Sequence, residues 1–190
     1  MANEKLGRPT KERMAVMRNQ VSYLLWNGKL ETTYAKCKSV QSMAEKIITL
    51  AINTYEDVVT VSKQITDKNG VKVVTNVTND GPKKLAARRK IMSQLYDIQE
   101  VRGEKESLAA FKAKTKDINH PLIEKIFNVY APKFAARNKE KNCAGGYTRI
   151  LKLGARRGDA AEMGRAPSLR ILVYPPAQFF SLLRAANFGA

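Results

Sequence analysis

Val40-Gln41-Ser42-Met43-Ala44-Glu45-Lys46-Ile47-Ile48-Thr49-Leu50-Ala51 places Val40, Met43, Ala44, Ile47, Ile48 and Ala51 at the three- and four-residue spacing of one helix face. Thr32 or Thr33 stands upstream as the cap of this helix. Toward the N-terminus, Met14, Met17, Val21, Leu24 and Leu25 repeat the pattern, while Lys11, Arg13 and Arg18 fall off the stripe. Pro9-Thr10 opens that first helix with Thr10 as N-cap, and Asn27-Gly28 closes it, since glycine accepts the left-handed geometry of a C-terminal cap. Lys29 to Thr32 reads as a short extended piece between the two helices.

Beyond Tyr55 the character changes. Val58 to Thr66 and Val71 to Thr78 are β-branched runs on either side of Lys68-Asn69-Gly70, the local signature of a hairpin, because both Asn and Gly tolerate positive φ. Val59, Val61 and Ile65 share one strand face, and Val71, Val73 and Val77 share one on the partner. Asp80-Gly81-Pro82 opens a third helix with Leu85, Met92, Leu95 and Tyr96 as buried candidates. The charged stretch from Val101 to Lys116 fits either a frayed helical extension or a loop. Asn119-His120-Pro121 starts a fourth helix, apolar at Leu122, Ile123, Ile126, Phe127 and Tyr130 and stopped by Pro132. Tyr147 to Leu153 and Leu169 to Tyr174 read as strands joined by an arginine- and glycine-rich loop. Pro175-Pro176 breaks the second, and a short amphipathic segment carries Phe179, Leu182, Leu183 and Ala186.

The expected fold is therefore α+β, a two-layer domain with several helices packed on a small mixed sheet, plus an inserted β-hairpin and a C-terminal tail. Residues 1–174 form the single domain, with 55–79 as the inserted hairpin and 101–117 as an inserted charged segment; 175–190 are a C-terminal extension.

The chain's 190 residues carry 34 Lys and Arg against 17 Asp and Glu, a formal charge of +17. So large a charge repels itself in a compact fold unless a polyanion neutralises it, and phosphate backbones are the usual partner, anionic membrane surfaces the less usual one. With 44% hydrophobic residues the chain can still bury a core. It has no apolar span long enough to cross a bilayer, and Met1 to Arg8 leads into a charged stretch rather than a signal-peptide segment, so synthesis and use in the cytosol are expected. Cys37 and Cys143, the only cysteines, are far apart and read as free thiols in a reducing compartment.

Catalysis finds little to work with. His120, the one histidine, precedes a proline at a helix start, where capping or solvation accounts for it, and the sequence suggests no partner for it. One histidine and two cysteines cannot furnish the four Cys/His ligands of a structural zinc site. A Walker-type phosphate loop is absent, and the glycines near Gly154 open no obvious helix. The expected protein is thus not an enzyme and carries no cofactor or metal.

The densest signal runs from Arg137 to Arg157. Arg137, Lys139, Lys141, Arg149, Lys152, Arg156 and Arg157 face only Glu140 and Asp159, which points to a phosphate-facing surface. Gly145 and Gly146 let backbone approach a phosphate closely because no Cβ intervenes. In a strand from Tyr147, alternation puts Tyr147 and Arg149 on one face, where a ring and a guanidinium would meet unpaired bases; the competing reading buries Tyr147 in the core. Arg8, Lys11, Arg13 and Arg18, joined by Lys36 and Lys38, form a weaker second patch. Lys83, Lys84, Arg88, Arg89 and Lys90 form a third, read as a solvated helix face.

Gly7-Arg8, Arg13-Met14-Ala15-Val16-Met17-Arg18-Asn19, Leu30-Glu31-Thr32-Thr33 and Ala44-Glu45-Lys46-Ile47-Ile48-Thr49-Leu50-Ala51 carry a specific resemblance. So do Ala131-Pro132-Lys133-Phe134-Ala135-Ala136-Arg137 and Gly145-Gly146-Tyr147-Thr148-Arg149-Ile150-Leu151-Lys152-Leu153-Gly154 through Arg156-Arg157-Gly158-Asp159-Ala160-Ala161. Together these strings resemble the bacterial large-subunit ribosomal protein L-seventeen family, in order over nearly the whole chain. The resemblance implies a small α+β protein bound to large-subunit ribosomal RNA near the rim of the peptide exit tunnel, with neighbouring large-subunit ribosomal proteins as further partners and no membrane. It places the family's RNA-facing positions on Arg8, Arg13, Arg18, Asn19, Thr32, Thr33, Lys36, Lys38, Tyr147, Thr148, Arg149, Lys152, Arg156 and Arg157. Pro9 and Glu12 depart from the hydroxyl and histidine residues usual there, and Cys37 replaces a small residue commonly alanine. The hairpin from Tyr55 to Asn79, the segment from Val101 to Asp117 and Lys139 to Cys143 look like insertions, and the tail after Tyr174 exceeds the usual end. A basic DNA-binding or nucleoid protein is the alternative, though no helix-turn-helix is recognisable. An RNA-modifying enzyme would need a cofactor loop or acid pair that the sequence lacks.

Overall fold

The computed structural model describes residues 5–66, 72–104, 106–116 and 118–166. Helix α1 (Thr10–Asn27), strand β1 (Leu30–Thr33) and helix α2 (Tyr34–Ile52) come first. The hairpin strands β2 (Val58–Thr66) and β3 (Lys72–Asp80) follow, then α3 (Pro82–Gln94) and α4 (Leu108–Thr115). A continuous helical run comprises α5 (Pro121–Lys125), a π-helical turn (Ile126–Tyr130) and α6 (Ala131–Lys141), before strands β4 (Leu151–Ala155) and β5 (Glu162–Ala166).

Helix α2 is the axis of the molecule. Its Cys37, Val40, Ala44, Ile47, Ile48 and Ala51 are buried, and α1, α3, the π turn, α6 and β5 all pack on it. The expected stripe is this face, extended one turn by Cys37, with Met43 at its half-buried margin. Leu24 and Leu25 of α1, Ile91 of α3, and Phe127 and Phe134 beyond complete a single core. Each such fully buried side chain contributes about 1.5–3 kcal/mol of transfer free energy. Gly28 closes α1 as expected, at φ +75° with its N–H on the Leu24 carbonyl at 2.7 Å. Thr33 is the N-cap residue of α2, one of the two expected, though its side chain makes no cap bond. At α1 the cap differs, since Pro9 holds that position and Thr10 is the first helical residue.

Helix α3 buries Ala87 and Ile91, with Leu95 beyond its end, an i, i+4 line. Leu85 and Met92, expected inside, lie off this line, and Tyr96, also expected inside, follows the end of the helix; all three are exposed. The start of α3 is capped from a distance. Asp57, just before the hairpin, accepts the N–H of Lys83 at 2.8 Å and of Lys84 at 3.2 Å, satisfying donors that a helix start leaves open. The charged segment folds in part into α4, which Ser107 caps by accepting the Ala110 N–H at 3.2 Å.

Pro132 does not stop the fourth helix. The chain runs on into α6 because the preceding turn widens, with the Ala131 N–H bonding the Ile126 carbonyl five residues back. A π turn gives the proline ring room that an α turn would deny it. This run is fastened to the end of α1: the Tyr130 hydroxyl donates to the Leu25 carbonyl at 2.7 Å, and Lys125 Nζ donates to the Trp26 carbonyl at 2.6 Å. Burial pushes the Tyr130 phenol well above its ordinary range.

The second layer is a three-stranded sheet in the order β1-β5-β4. Among the described residues both pairings are antiparallel, where a mixed sheet was expected. Its central strand, Glu162–Ala166, comes from the stretch read as loop. Gly164 explains the close docking on α2: a Cβ there would meet Cys37 Sγ at 3.1 Å and the Tyr34 backbone at 3.5 Å. The expected strand from Tyr147 begins only at Leu151. The strand expected from Leu169 to Tyr174, the Pro175-Pro176 break, the tail with Phe179, Leu182, Leu183 and Ala186, and the Lys68-Asn69-Gly70 turn lie outside the described residues. The hairpin strands themselves pair as expected, with Val61 opposite Val77 and Ile65 opposite Val73.

Candidate nucleic-acid interface

The sheet and the start of α2 bring together residues that are far apart in sequence. Thr32 of β1 pairs with Gly164 of β5, which pairs with Lys152 of β4, so threonine and lysine stand in one row across the sheet. Tyr34, the first residue of α2, lies under two ammonium groups, Lys38 Nζ at 4.9 Å and Lys152 Nζ at 5.0 Å from its ring centroid. Two cations on one partly buried ring repel each other, and an anion set between them offsets that repulsion. Thr33 and Lys36 flank the same corner, both half-buried. Gln20 of α1 reaches it through a 3.4 Å bond from Nε2 to Thr32 Oγ1. Tyr34 was not singled out from the sequence; its i, i+4 spacing to Lys38 was the available signal.

Just before and just after β4 the basic side chains are open. Arg149 and Arg157 are exposed and have no acidic partner among the described residues. Arg156 instead donates to Asp159 from Nε at 3.0 Å and from Nη2. Arg165 and Glu31, cross-strand neighbours, pair at 2.7 Å. Arg8 and Asn19 are exposed on or before α1, while Arg13 and Arg18 are half-buried; among the described residues no hydrogen bond or ion pair joins these four side chains to the sheet corner.

Three expected site residues turn out to build the platform. Tyr147 is 1% exposed, its ring set edge-on to Phe134 at 4.8 Å and its hydroxyl accepting from Asn138 Nδ2 at 3.1 Å. The expectation that its ring meets bases alongside Arg149 is therefore corrected: the ring belongs to the core. Thr148 is buried too, donating to Glu45 Oε1 at 2.7 Å while its carbonyl accepts from Gln41 at 3.2 Å. Arg137 lies over the Tyr147 and Phe134 rings, 5.0 and 5.5 Å from their centroids, and donates to the Gly145 and Gly146 carbonyls. These contacts pin residues 145–148 to α2 and α6, which is why the strand starts late. Gly145 and Gly146 hold φ +92° and +60°, a turn that side-chain-bearing residues adopt only with strain. Space for a Cβ is open at both.

Elsewhere basic groups are neutralised internally. Lys84 and Arg88 each pair with Asp80 at 2.8 Å, and Arg88 also with Glu124. His120 sits 3.3 Å from Asp97. Cys37 is buried, its Sγ 3.3 Å from the Gly164 carbonyl it donates to, and Cys143 is exposed; neither is in a disulfide among the described residues. Among the described residues no cluster of His, Cys, Asp and Glu could hold a metal ion, and no helix is long and apolar enough to cross a membrane.

Residues 16–165 match the family described as ribosomal protein L17. The chain is also similar to three bacterial proteins, each named large ribosomal subunit protein bL17. That of Lachnospira eligens is 38% identical over 176 residues, covering 83% of this chain and 93% of the relative. That of Acetivibrio thermocellus is 36% identical over 186 residues, covering 85% and 95%. That of Ruminiclostridium cellulolyticum is 38% identical over 183 residues, covering 84% and 94%.

Proposed function

Because the chain belongs to the ribosomal protein L17 family, we propose that it is a structural constituent of the large ribosomal subunit in the cytoplasm. It binds and organises large-subunit ribosomal RNA near the exit-tunnel rim and has neighbouring ribosomal proteins as its protein partners. It supports translation by holding RNA segments together, without catalysis. The observation that carries the RNA reading is the meeting of Lys38 and Lys152 over Tyr34, together with the exposed Arg149 and Arg157 on either side of β4, which have no acidic partner among the described residues. Phosphate supplies the charge that this surface lacks.

The RNA-facing surface comprises Arg8, Arg13, Arg18, Asn19, Thr32, Thr33, Lys36, Lys38, Arg149, Lys152, Arg156 and Arg157, resting on Arg137, Gly145, Gly146, Tyr147 and Thr148. Domain boundaries follow the same reading: one domain over 1–174, with the hairpin, the charged segment and the tail as additions. Binding to a large-subunit ribosomal RNA transcript should weaken steeply with salt. If about six phosphates are neutralised, affinity should fall about a thousandfold between low and moderate salt. An affinity that does not change with salt would contradict this reading.

A further inference from the structure

Asp159 is an acid in the most basic part of the chain, on the loop between β4 and β5, where a phosphate-facing surface should exclude negative charge. The loop is built around it. Arg156 N–H bonds the Ala161 carbonyl at 2.9 Å and Ala160 N–H bonds the Arg156 carbonyl at 3.0 Å. Gly158 and Ala160 sit at φ +102° and +52°, and alanine enters that region only when its surroundings hold it there. The carboxylate of Asp159 takes Nε and Nη2 of Arg156 and also accepts the Ala161 N–H at 3.3 Å.

A guanidinium has five N–H donors in a rigid fork. Asp159 engages the Nε/Nη2 edge, which leaves both Nη1 donors and one on Nη2 pointing away from the acid. The Arg156 side chain is 53% exposed, so that far edge faces solvent. We infer that Asp159 is a positioning residue for RNA binding: it clamps one edge of Arg156 so that the other is fixed outward to take a phosphate bidentately. Fixing the fork in advance removes rotamer freedom that would otherwise be lost on binding. Arg157, next in the chain and without an acidic partner among the described residues, supplies the net positive charge. The carboxyl of Asp159 is held down to about 2, first by the hydrogen bond from Arg156 and then by the Ala161 N–H, so the clamp stays ionised at any working pH.

This inference rests on the RNA reading and makes a prediction opposite in sign to simple electrostatics. If Asp159 were only a charge, Asp159→Asn would strengthen RNA binding. Its amide would instead keep one acceptor oxygen, set an NH2 where the other stood and drop the charge, so the two-point grip on the fork is lost. In filter binding of the full-length chain to full-length large-subunit ribosomal RNA at fixed salt, Asp159→Asn should bind about two- to fivefold more weakly, the fold-change matching one exposed ion pair. In an Arg156→Gln background the same substitution should produce no further loss, a coupling that general damage to the loop would not show. Unchanged or tighter binding by Asp159→Asn overturns the inference, as does an equal loss in both backgrounds. A wild-type chain that fails to bind the RNA is a separate result, which removes the RNA reading itself and the clamp with it.

Discussion

Lys125 is a cation kept 8% exposed in the core region. It is tolerated there because its ammonium donates to the Trp26 carbonyl at 2.6 Å and lies over the Trp26 and Tyr130 rings, 5.1 and 5.8 Å from their centroids. Burial lowers its pKa, opposed by the charge of Glu100. With the folded pKa below the unfolded one, the unfolded chain binds more protons between the two values. This group therefore makes stability rise with pH from the lowered value up to about 10.5. Lys125→Met keeps the aliphatic volume and removes the titration. Denaturant unfolding at a series of alkaline pH values should show the stability of wild type minus variant climbing across that window. A difference independent of pH would mean the ammonium is solvated in the fold. At this scale the sequence was informative for open charges such as Arg149 and Arg157, where a dearth of nearby acid was enough. It was not informative for Tyr147 or Lys125, whose surroundings come from α6 and α1; alternation along a strand cannot show that the strand has not yet begun.

The hairpin is the element most separable from the body. Val58, Val59, Val61 and Val74 are 39–62% exposed, and in β2 and β3 the main packing is of each strand on the other. Its base is closed: the Gly81 N–H bonds the Asp57 carbonyl at 2.9 Å, and the Asp57 side chain caps α3. The chain therefore leaves and re-enters the body at one point, and α3 is held by a residue that precedes the hairpin. Replacing Val58 to Thr78 with a short glycine-serine linker should leave the helical circular dichroism and RNA affinity nearly unchanged, while altering crosslinks to a neighbouring protein in the subunit. Strands with few charges suit a protein partner better than a phosphate backbone. A shortened chain that fails to fold, or fails to enter the large subunit, would show the hairpin to be part of the core. The elements legible in sequence were those carrying their own local signal, namely the α1 and α2 stripes, the Gly28 cap and the β-branched hairpin runs. Those misread depended on distant partners. Pro132 looks like a terminator until the π turn makes room for it. Glu162–Ala166, with Gly164 at its centre, has little strand propensity and is a strand because β1 and β4 flank it on both sides and Cys37 lies against it.

Across the whole molecule, the +17 charge is unevenly disposed. On α3, Lys84 and Arg88 are consumed by Asp80 and Glu124, so reversing them would leave those acids unpaired and damage the fold. Lys83 and Lys90 on the same helix are exposed and make a fair control for Arg149 and Arg157 on the sheet side. The measurement that tests the account most directly is quantitative mass spectrometry across a sucrose gradient of cell lysate. It would follow tagged wild type, a variant with Arg149→Glu and Arg157→Glu, and one with Lys83→Glu and Lys90→Glu. Wild type and the helix variant should co-migrate with the large subunit and whole ribosomes, with the sheet-side variant shifted to the soluble fractions at the top. Wild type found mainly at the top of the gradient, or equal displacement of the two variants, would contradict the account.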